Sequence, residues 1–352
     1  MGATDRQTVS IVGAGVAGLA IAVELARRGH PVRVLDRTGP PGPHGCSWWA
    51  GGMLAPHCER ESADVAVVRL GMAAADWWAG VGAEVTRRGS LVIAPNRDRR
   101  ELERFARRTA GFEVLDADAL AGLEPDLVDR FTRALYFPTE AHVAPRQALA
   151  ALVDRLAEHG VAVEQAEPAL NGLAAEGPVI DARGLAARDA LADLRGVKGE
   201  MLVLSCPDVS LTRPVRLIHP RAPLYIVPRG DGVFMLGATQ IEAAERSRVT
   251  ARSLLELLSV AYALHPAFGE AEVLEIGVDA RPAFPDNLPR LVRQGGVIHA
   301  NGLFRHGFLL APALAQQAAA LVAGQTPELL YDDHRERDAD GRAGDGHCRA
   351  AV

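Results

Sequence analysis

Cysteine is scarce in this chain of 352 residues, and the few cysteines lie far apart. Four occur, Cys46, Cys58, Cys206 and Cys348, and none belongs to a C-x-x-C motif or to a cysteine–histidine cluster. Zinc sites need closely spaced ligands, and small secreted domains are dense in paired cysteines. We therefore expect no metal site and no disulfide framework, and the cysteine usage favours a reducing cytoplasm.

Long apolar runs and a strong net charge are also missing. No uninterrupted apolar stretch reaches the roughly 20 residues of a transmembrane helix, and the N-terminus lacks the basic and apolar regions of a signal peptide. The net charge of −6 is small for this length, whereas nucleic-acid-binding domains are typically basic. We expect neither a membrane nor a nucleic acid as partner, and the 48% of hydrophobic residues is enough for a sizeable core.

Glycine, by contrast, is plentiful and placed in a recognisable pattern. Residues 8–36 predict a strand, a glycine-rich turn, a helix and a second strand. Within the turn, Gly13, Gly15 and Gly18 fit G-x-G-x-x-G, and Asp36 ends the second strand about 20 residues later. Such a turn binds a pyrophosphate at the helix N-terminus. A turn without nucleotide is the weaker alternative. The spacing leaves NAD and FAD both open, while Asp36 disfavours NADP.

Two stretches outside this unit contain candidate site residues. In SWWAGGMLAP, from Ser47, two adjacent glycines indicate backbone that lies against something flat or crowded, and a merely packed loop is the alternative. In VDARPAFPDN, Arg281 lies between an apolar strand and a proline-rich turn. Its planar guanidinium suits a carboxylate ligand, and a salt bridge to Asp279 or Asp286 is the alternative.

A third stretch, GLFRHGFLLAP from Gly302, places a basic pair before a very apolar helix. We expect this helix to begin near Pro312, with its positive end toward the loop. Buried charge is costly without a partner. Arg305 therefore needs either a carboxylate from elsewhere in the chain or a ligand, and His306 is given no catalytic role.

Taken together, the motifs of this chain resemble those of the D-amino-acid oxidase-like family of FAD-dependent oxidoreductases, and within it most closely the glycine oxidases of thiamine biosynthesis. The matching stretches occur in the family's order between residues 9 and about 323: VSIVGAGVAGLAIAVELARRG, SWWAGGMLAP, LEPDL, ALYFPTEAHVAPRQALAAL, DARGLAAR, LRGVKGEMLVL, YIVPRGDGVFMLGAT, RPAFPDNLPRL and GLFRHGFLLAP. The resemblance implies FAD, which spacing alone does not give.

The resemblance also implies an α/β fold. A Rossmann-type FAD-binding domain is interleaved with an α+β substrate domain that carries a large, mostly antiparallel sheet. We expect the FAD-binding domain to comprise residues 1–70, 140–198 and 276–330. The substrate domain then comprises 71–139 and 199–275, and a disordered tail follows over 331–352.

Family roles carry over to particular positions of this chain. Cofactor contacts are implied for Gly13, Gly15, Val16, Ala17, Gly18, Asp36, Arg37, Cys46, Ser47, Gly51, Gly52, Met53, Val163, Gly302, Leu303, Phe304, Arg305, His306, Gly307, Phe308 and Leu309. Substrate contacts are implied for Arg281 as the carboxylate clamp, and for Arg305, Tyr225 and Met53. No catalytic group beyond the flavin N5 and no metal are implied. No cysteine stands where some relatives attach the flavin, so we expect non-covalent FAD.

The implied activity is oxidation of a small amino acid, glycine above all, to an imine and then an oxo acid, with dioxygen as acceptor. Three positions depart from the family pattern and bear on substrate preference, namely Leu303, His306 and Gln240. Rival activities on the same fold are a sarcosine, N-methyl or D-amino-acid oxidase and a flavin dehydrogenase with another electron acceptor. A sensor that binds a nucleotide without chemistry is disfavoured by the two arginines. A homo-oligomer stays open.

Overall fold

The computed structural model describes residues 7–219, 224–327 and 331–333. Its helices are α1 (Val16–Arg27), α2 (Pro56–Glu59), α3 (Val65–Gly71), α4 (Ala74–Gly80), α5 (Arg99–Arg108), α6 (Ala117–Leu123), α7 (Pro145–Glu158), α8 (Leu170–Glu176), α9 (Ala251–Leu264) and α10 (Gly307–Val322). Its strands are β1 (Val9–Val12), β2 (Val32–Asp36), β3 (Met53–Leu54), β4 (Val85–Thr86), β5 (Ser90–Ile93), β6 (Glu113–Leu115), β7 (Ala134–Phe137), β8 (Ala141–Val143), β9 (Val163–Gln165), β10 (Val179–Asp181), β11 (Arg195–Ser205), β12 (Val215–Leu217), β13 (Leu224–Gly230), β14 (Val233–Gly237), β15 (Glu272–Ala283), β16 (Arg290–Gln294), β17 (Val297–Asn301) and β18 (Tyr331–Asp333).

The first large sheet has the strand order β18-β16-β17-β10-β1-β2-β9. Strand β1 pairs in parallel with both β2 and β10, as the predicted strand–helix–strand unit requires. Helix α1 is buried along almost its whole length because it packs against both α10 and α7. In a parallel sheet of this kind, ligands bind at the carboxyl ends of the strands, so the glycine-rich turn after β1 lies at the expected edge.

The second large sheet has the order β15-β11-β14-β13-β12-β5-β7-β6 and is antiparallel except where β5 meets β12. Strands β13 and β14 form a hairpin, in whose turn Asp231 and Gly232 both adopt positive φ, at 49° and 70°. That conformation is the one a tight two-residue hairpin turn demands. Apolar residues of α9, including Leu257 and Val260, cover this sheet.

The mixed α/β fold class is confirmed, with two large sheets and a small third sheet of order β3-β8-β4. Every strand of the first sheet within residues 1–330 falls inside the segments predicted for the FAD-binding domain. The predicted boundaries at 198/199 and 275/276 fall inside β11 and β15, which pair with each other along their length. Those two strands therefore continue across the boundaries.

The end of the chain differs from expectation at three residues. Tyr331–Asp333 form β18, which pairs in parallel with β16, so a disordered tail from residue 331 is wrong for these three. The rest of that predicted tail, 334–352, lies outside the described residues. Within the described part of the chain, no helix is both long and apolar enough to cross a bilayer.

Candidate active site

A cavity of about 1320 Å³ receives residues from both large sheets. The glycine turn after β1 and Asp36 at the end of β2 line one part, and Gly199, Tyr225 and Arg281 of the second sheet line another. Pockets for drug-sized ligands are typically about 300–1,000 Å³. This cavity is therefore large enough for a dinucleotide together with a small substrate.

The glycine turn leaves backbone exposed to the cavity at the start of α1. Gly13 has a φ of +114°, and an added Cβ would lie 2.4 Å from the carbonyl oxygen of Ala182. At Gly18 a Cβ would lie 1.8 Å from the Gly13 oxygen, so this glycine serves close packing and does not line the cavity. Gly15 caps the helix without a side-chain bond. The positive helix end therefore faces the cavity.

Asp36 is fixed beside that turn by hydrogen bonds to both of its oxygens. Its Oδ2 accepts from the amide of Ala14 at 2.9 Å, and its Oδ1 accepts from the amide of Thr38 at 2.8 Å. Arg37 lines the cavity next to it. Val163 is not among the lining residues, because it pairs with Val34 inside the first sheet.

The loop after β2 is hydrogen-bonded both to the start of α1 and to strand β13 of the second sheet. The Ser47 hydroxyl accepts from the amide of Val16 at 3.1 Å, which ties the loop to the start of α1. A Cβ at Gly51 would lie 2.7 Å from the ring of Tyr225, so the loop packs closely and also lines the cavity. The guanidinium of Arg229 donates to the Gly51 carbonyl at 2.8 Å. Cys46, Gly52 and Met53 line the same wall.

The stretch Gly302–Leu309 forms another part of the cavity wall, and all eight of its residues line it. Helix α10 begins at Gly307, so the expected start near Pro312 is wrong. Pro312 lies inside the helix, and the Phe308 carbonyl that would bond to a residue 312 amide accepts from the Trp78 indole at 2.8 Å instead. This early start brings the positive end of α10 directly to the cavity wall.

Arg281 lies on β15 and lines the cavity without an ion-pair partner among the described residues. Its Nη1 donates only to the Thr239 carbonyl, at 3.3 Å. The salt bridge considered from sequence does not form, because Asp279 pairs with Arg246 and Asp286 pairs with Arg290. The Arg281 guanidinium, whose one partner is a neutral carbonyl, remains able to bind a carboxylate.

Tyr225 stands near Arg281 in the cavity wall, with its ring between two glycines. A Cβ at Gly237 would lie 2.6 Å from the Tyr225 hydroxyl oxygen, and Gly51 faces the other side of the ring. Burial raises the pKa of Tyr225, and the positive charge of Arg281 partly offsets that rise. The phenol is therefore neutral at physiological pH and can donate a hydrogen bond to an anion.

Arg305 has a carboxylate partner within the chain. Its Nη2 lies 2.7 Å from Glu59 Oε2 and also donates to the Ser62 hydroxyl at 2.7 Å. Of the two partners left open by the sequence, a carboxylate from elsewhere in the chain is thus present, and the implied substrate contact stays a prediction. Arg305 still lines the cavity.

Glu59 also binds Arg216, whose Nη2 lies 2.5 Å from its Oε1. Burial alone would raise the pKa of Glu59, but the charges of Arg305, Arg216 and His306 hold it well below its usual range. His306 Nδ1 lies 3.4 Å from Glu59 Oε2. Burial lowers the pKa of His306 to about 4, so the ring is neutral at physiological pH.

The comparison with protein families decides the class. The family described as FAD dependent oxidoreductase (DAO) matches residues 8–321. The chain belongs to this family. A putative thiamine biosynthesis oxidoreductase, ThiO, from Rhizobium etli is 54% identical over an alignment of 318 residues that covers 88% of this chain and 95% of that protein.

Solved structures agree with this assignment. The crystal structure of a glycine oxidase from Geobacillus kaustophilus is similar with a TM-score of 0.75 at 26% identity, covering 92% of this chain and 96% of that one. A glycine oxidase from Bacillus cereus gives a TM-score of 0.77 at 25% identity, covering 92% of this chain and 97% of that one. The predictions of an FAD-dependent oxidoreductase and of FAD as cofactor are confirmed.

The residues of this member of the FAD-dependent oxidoreductase family fit FAD. The start of α1, with Gly13, Gly15, Val16 and Ala17, forms an uncapped amide cradle that suits a pyrophosphate. Asp36 is oriented for a ribose hydroxyl. The start of α10 offers a second positive helix terminus in the same cavity, which suits the electron-rich edge of a flavin.

The structure thus brings all but two of the predicted site residues to one cavity, the exceptions being Gly18 and Val163. Sequence reasoning missed Glu59, Arg216 and Arg229. The available signal for Arg216 was its position between Val215 and Leu217 in a short apolar strand, where a charge is unusual. Within the described residues no group of histidine, cysteine and acidic side chains is arranged to hold a metal ion.

Proposed function

We propose that this protein catalyses the oxidative deamination of glycine or another small amino acid, as a step of thiamine biosynthesis. The balanced reaction consumes the amino acid, dioxygen and water, and releases an oxo acid, ammonia and hydrogen peroxide. Support comes from the relative in Rhizobium etli, which is named for thiamine biosynthesis, and from several glycine oxidases of similar length. The scarce, widely spaced cysteines support a cytoplasmic location.

The observation that carries the proposal is the guanidinium of Arg281, which faces the cavity and bonds only the Thr239 carbonyl among described residues. A planar fork of this kind binds a carboxylate through two hydrogen bonds. Tyr225 adds a neutral donor beside it. Together these two side chains would hold the carboxylate of an amino acid and so direct its Cα.

When bound, FAD supplies the two-electron acceptor for this chemistry. The chain's own contribution is placement: Arg281 and Tyr225 fix the carboxylate, while Gly51, Gly52 and Met53 form the adjoining wall. Orientation of this kind accounts for a large part of catalysis when a cofactor carries the reaction. The substrate amine must be neutral, so the rate should rise with pH until the amine is deprotonated. No side chain is needed as a base.

Peroxide formation by the purified holoenzyme tests the proposal. Glycine, sarcosine and D-alanine are supplied in turn while the flavin spectrum is followed, and the same panel is repeated with a dye acceptor without oxygen. We expect peroxide in stoichiometric amounts with glycine or one close relative. Flavin reduction that produces turnover only with the dye indicates a dehydrogenase. A yellow protein whose flavin responds to none of the three amino acids contradicts the proposal.

A further inference from the structure

Glu59 is a shared counter-ion in the wall of the cavity. Its two oxygens bind different arginines, Arg216 from strand β12 and Arg305 from the loop before α10. The neutral ring of His306 lies 3.4 Å from the same carboxylate. All of these groups line the cavity. One carboxylate therefore engages two of the guanidiniums that line the cavity.

A third guanidinium, that of Arg281, also lines the cavity. Arg281 has no ion-pair partner among the described residues, and its one hydrogen bond goes to a backbone carbonyl. The pKa of the Tyr225 phenol responds to burial and then to the charges of Arg281, Glu59 and Arg216, which places these groups around one region. Arg216 also pairs directly across from Tyr225 in the sheet. The pocket therefore offers one unpaired clamp beside two arginines that share a single carboxylate.

We propose that Glu59 sets the charge selectivity of the substrate pocket. By engaging Arg216 and Arg305, it leaves Arg281 as the single site for a carboxylate, and the pocket accepts amino acids with one acidic group. A substrate with a second acidic group finds both guanidiniums already engaged by Glu59 and has to compete with that carboxylate for them. This inference rests on the proposed function for the assignment of Arg281 to the substrate carboxylate.

A purely structural ion pair would have a different consequence. Removing a structural carboxylate lowers stability and affects all ligands alike, because the remaining arginine is left buried without a partner. A selectivity residue changes the ratio between ligands of different charge. Charge-assisted hydrogen bonds are stronger than neutral ones, so two released guanidiniums should bind a second carboxylate measurably.

The test is a binding titration of the FAD-loaded protein with ligands that cannot be oxidised. Acetate carries one carboxylate, and malonate, succinate and glutarate carry two at increasing separation. Dissociation constants come from the change in flavin absorbance for wild type and Glu59→Gln. We expect the preference for the best dicarboxylate over acetate to rise by about tenfold or more in the variant, which equals about 1.4 kcal/mol. A ratio that stays within about twofold of wild type overturns the inference.

Glu61→Gln is the matched control, since Glu61 also lines the cavity but pairs with Arg108 at 3.1 Å outside this cluster. Its ratio should match wild type, and a shift as large as that of Glu59→Gln would overturn the assignment to Glu59. If Glu59→Gln does not retain FAD, Arg305→Gln tests the same balance. It leaves Glu59 less neutralised, so the preference should move toward acetate, and an unchanged ratio overturns the inference.

The two proposals fail in distinguishable ways. If the wild-type flavin responds to acetate but the ratio does not depend on Glu59, this inference alone fails. If wild type neither binds acetate nor oxidises any amino acid of the panel, the proposed function fails and this inference fails with it.

Discussion

Gly199 is the residue that makes room for the substrate clamp. An added Cβ would lie 2.1 Å from Nη2 and 2.4 Å from Cζ of Arg281, which is closer than any real contact. Gly199 lies on β11 beside β15, so its missing side chain is the space in which the guanidinium rests. The position of Arg281 is thus determined by a glycine on the neighbouring strand.

We expect Gly199→Ala to displace the Arg281 guanidinium and to raise the KM for glycine by about tenfold or more, because small misplacements of a clamp are costly. FAD should remain bound. Steady-state kinetics with flavin quantification measure both effects. Gly172→Ala is the control, since nothing lies within 4 Å of a Cβ there. A KM equal to wild type in Gly199→Ala would show that Arg281 does not hold the substrate.

Glu140 gives a pH-dependent prediction. Burial raises its pKa from 4.5 to about 7, although the Ser90 hydroxyl and the Cys58 amide donate to it. The folded protein therefore holds a proton that the unfolded chain has released. This contribution to stability is complete below the unfolded pKa and is lost as pH rises from 4.5 to about 7.

Glu140→Gln keeps a neutral side chain at every pH. Between pH 5 and pH 7.5, the stability of wild type relative to this variant should fall by about 2 kcal/mol. Urea unfolding at both pH values with saturating FAD measures the difference, and Glu164→Gln at an exposed position is the control. A difference that is independent of pH would contradict a raised pKa.

At the scale of single residues, the sequence predicted those features that neighbouring residues determine. Gly13, Asp36 and Arg281 could be recognised because their surroundings in sequence already require a turn, a strand end or an isolated charge. The Glu59 cluster could not, since Glu59 and Arg216 are 157 residues apart and meet only when β12 takes its place in the second sheet. For Arg305 the sequence therefore left a carboxylate of the chain and a ligand both open, and the structure supplies the former in Glu59.

Among the elements, α10 shows how tertiary contacts override a local rule. Proline favours the first turn of a helix, which predicted a start near Pro312. The helix instead begins five residues earlier, at Gly307. The Trp78 indole satisfies the Phe308 carbonyl that Pro312 leaves unbonded, and its ring stacks on Phe308 at a centroid distance of 5.4 Å. A distant tryptophan thus permits a proline inside the helix.

The interaction of Trp78 with this helix can be measured by a double-mutant cycle. Trp78→Phe should lower the free energy of unfolding by about 1–3 kcal/mol, since it leaves a buried carbonyl unsatisfied. Pro312→Ala restores the missing backbone N–H, so the same tryptophan change should cost less in that background. Chemical unfolding of the four proteins with FAD bound gives the coupling. Strictly additive effects would contradict this account of the helix start.

The strands β11 and β15 explain why domain boundaries were hard to place. The predicted boundaries at 198/199 and 275/276 each fall inside a long strand of one continuous pair. Both strands belong to the second sheet, and the chain crosses to the first sheet in the connections between β10 and β11 and between β15 and β16. The continuity of these strands depends on pairing that is distant in sequence.

For the whole molecule, the order of motifs along the chain was enough to predict two interleaved sheets and FAD. The cavity draws residues from both sheets, so bound FAD should stabilise the fold as a unit. A ligand at 100 times its Kd adds about 2.7 kcal/mol. Local sequence could not give the cavity volume, which depends on how the sheets face each other.

Non-covalent attachment predicts that acid precipitation releases the flavin into the supernatant. It also predicts that the melting temperature of the stripped protein rises with added FAD. Absorbance of the supernatant and thermal scans at several FAD concentrations measure these effects, and NADP is the control that should have little influence because Asp36 would repel its 2′-phosphate. Yellow colour retained in the precipitate would indicate a covalent bond.

The central claim is that Arg281 holds the carboxylate of a small amino acid next to FAD, and the glycine KM of Arg281→Ala tests it most directly. Loss of a charge-assisted pair, worth up to about 3 kcal/mol, should raise the KM by about 100-fold while the flavin content stays at the wild-type level. Arg281→Lys keeps the positive charge but loses the planar fork, so its glycine KM should lie between those of wild type and Arg281→Ala. A glycine KM unchanged from wild type in Arg281→Ala would contradict the account.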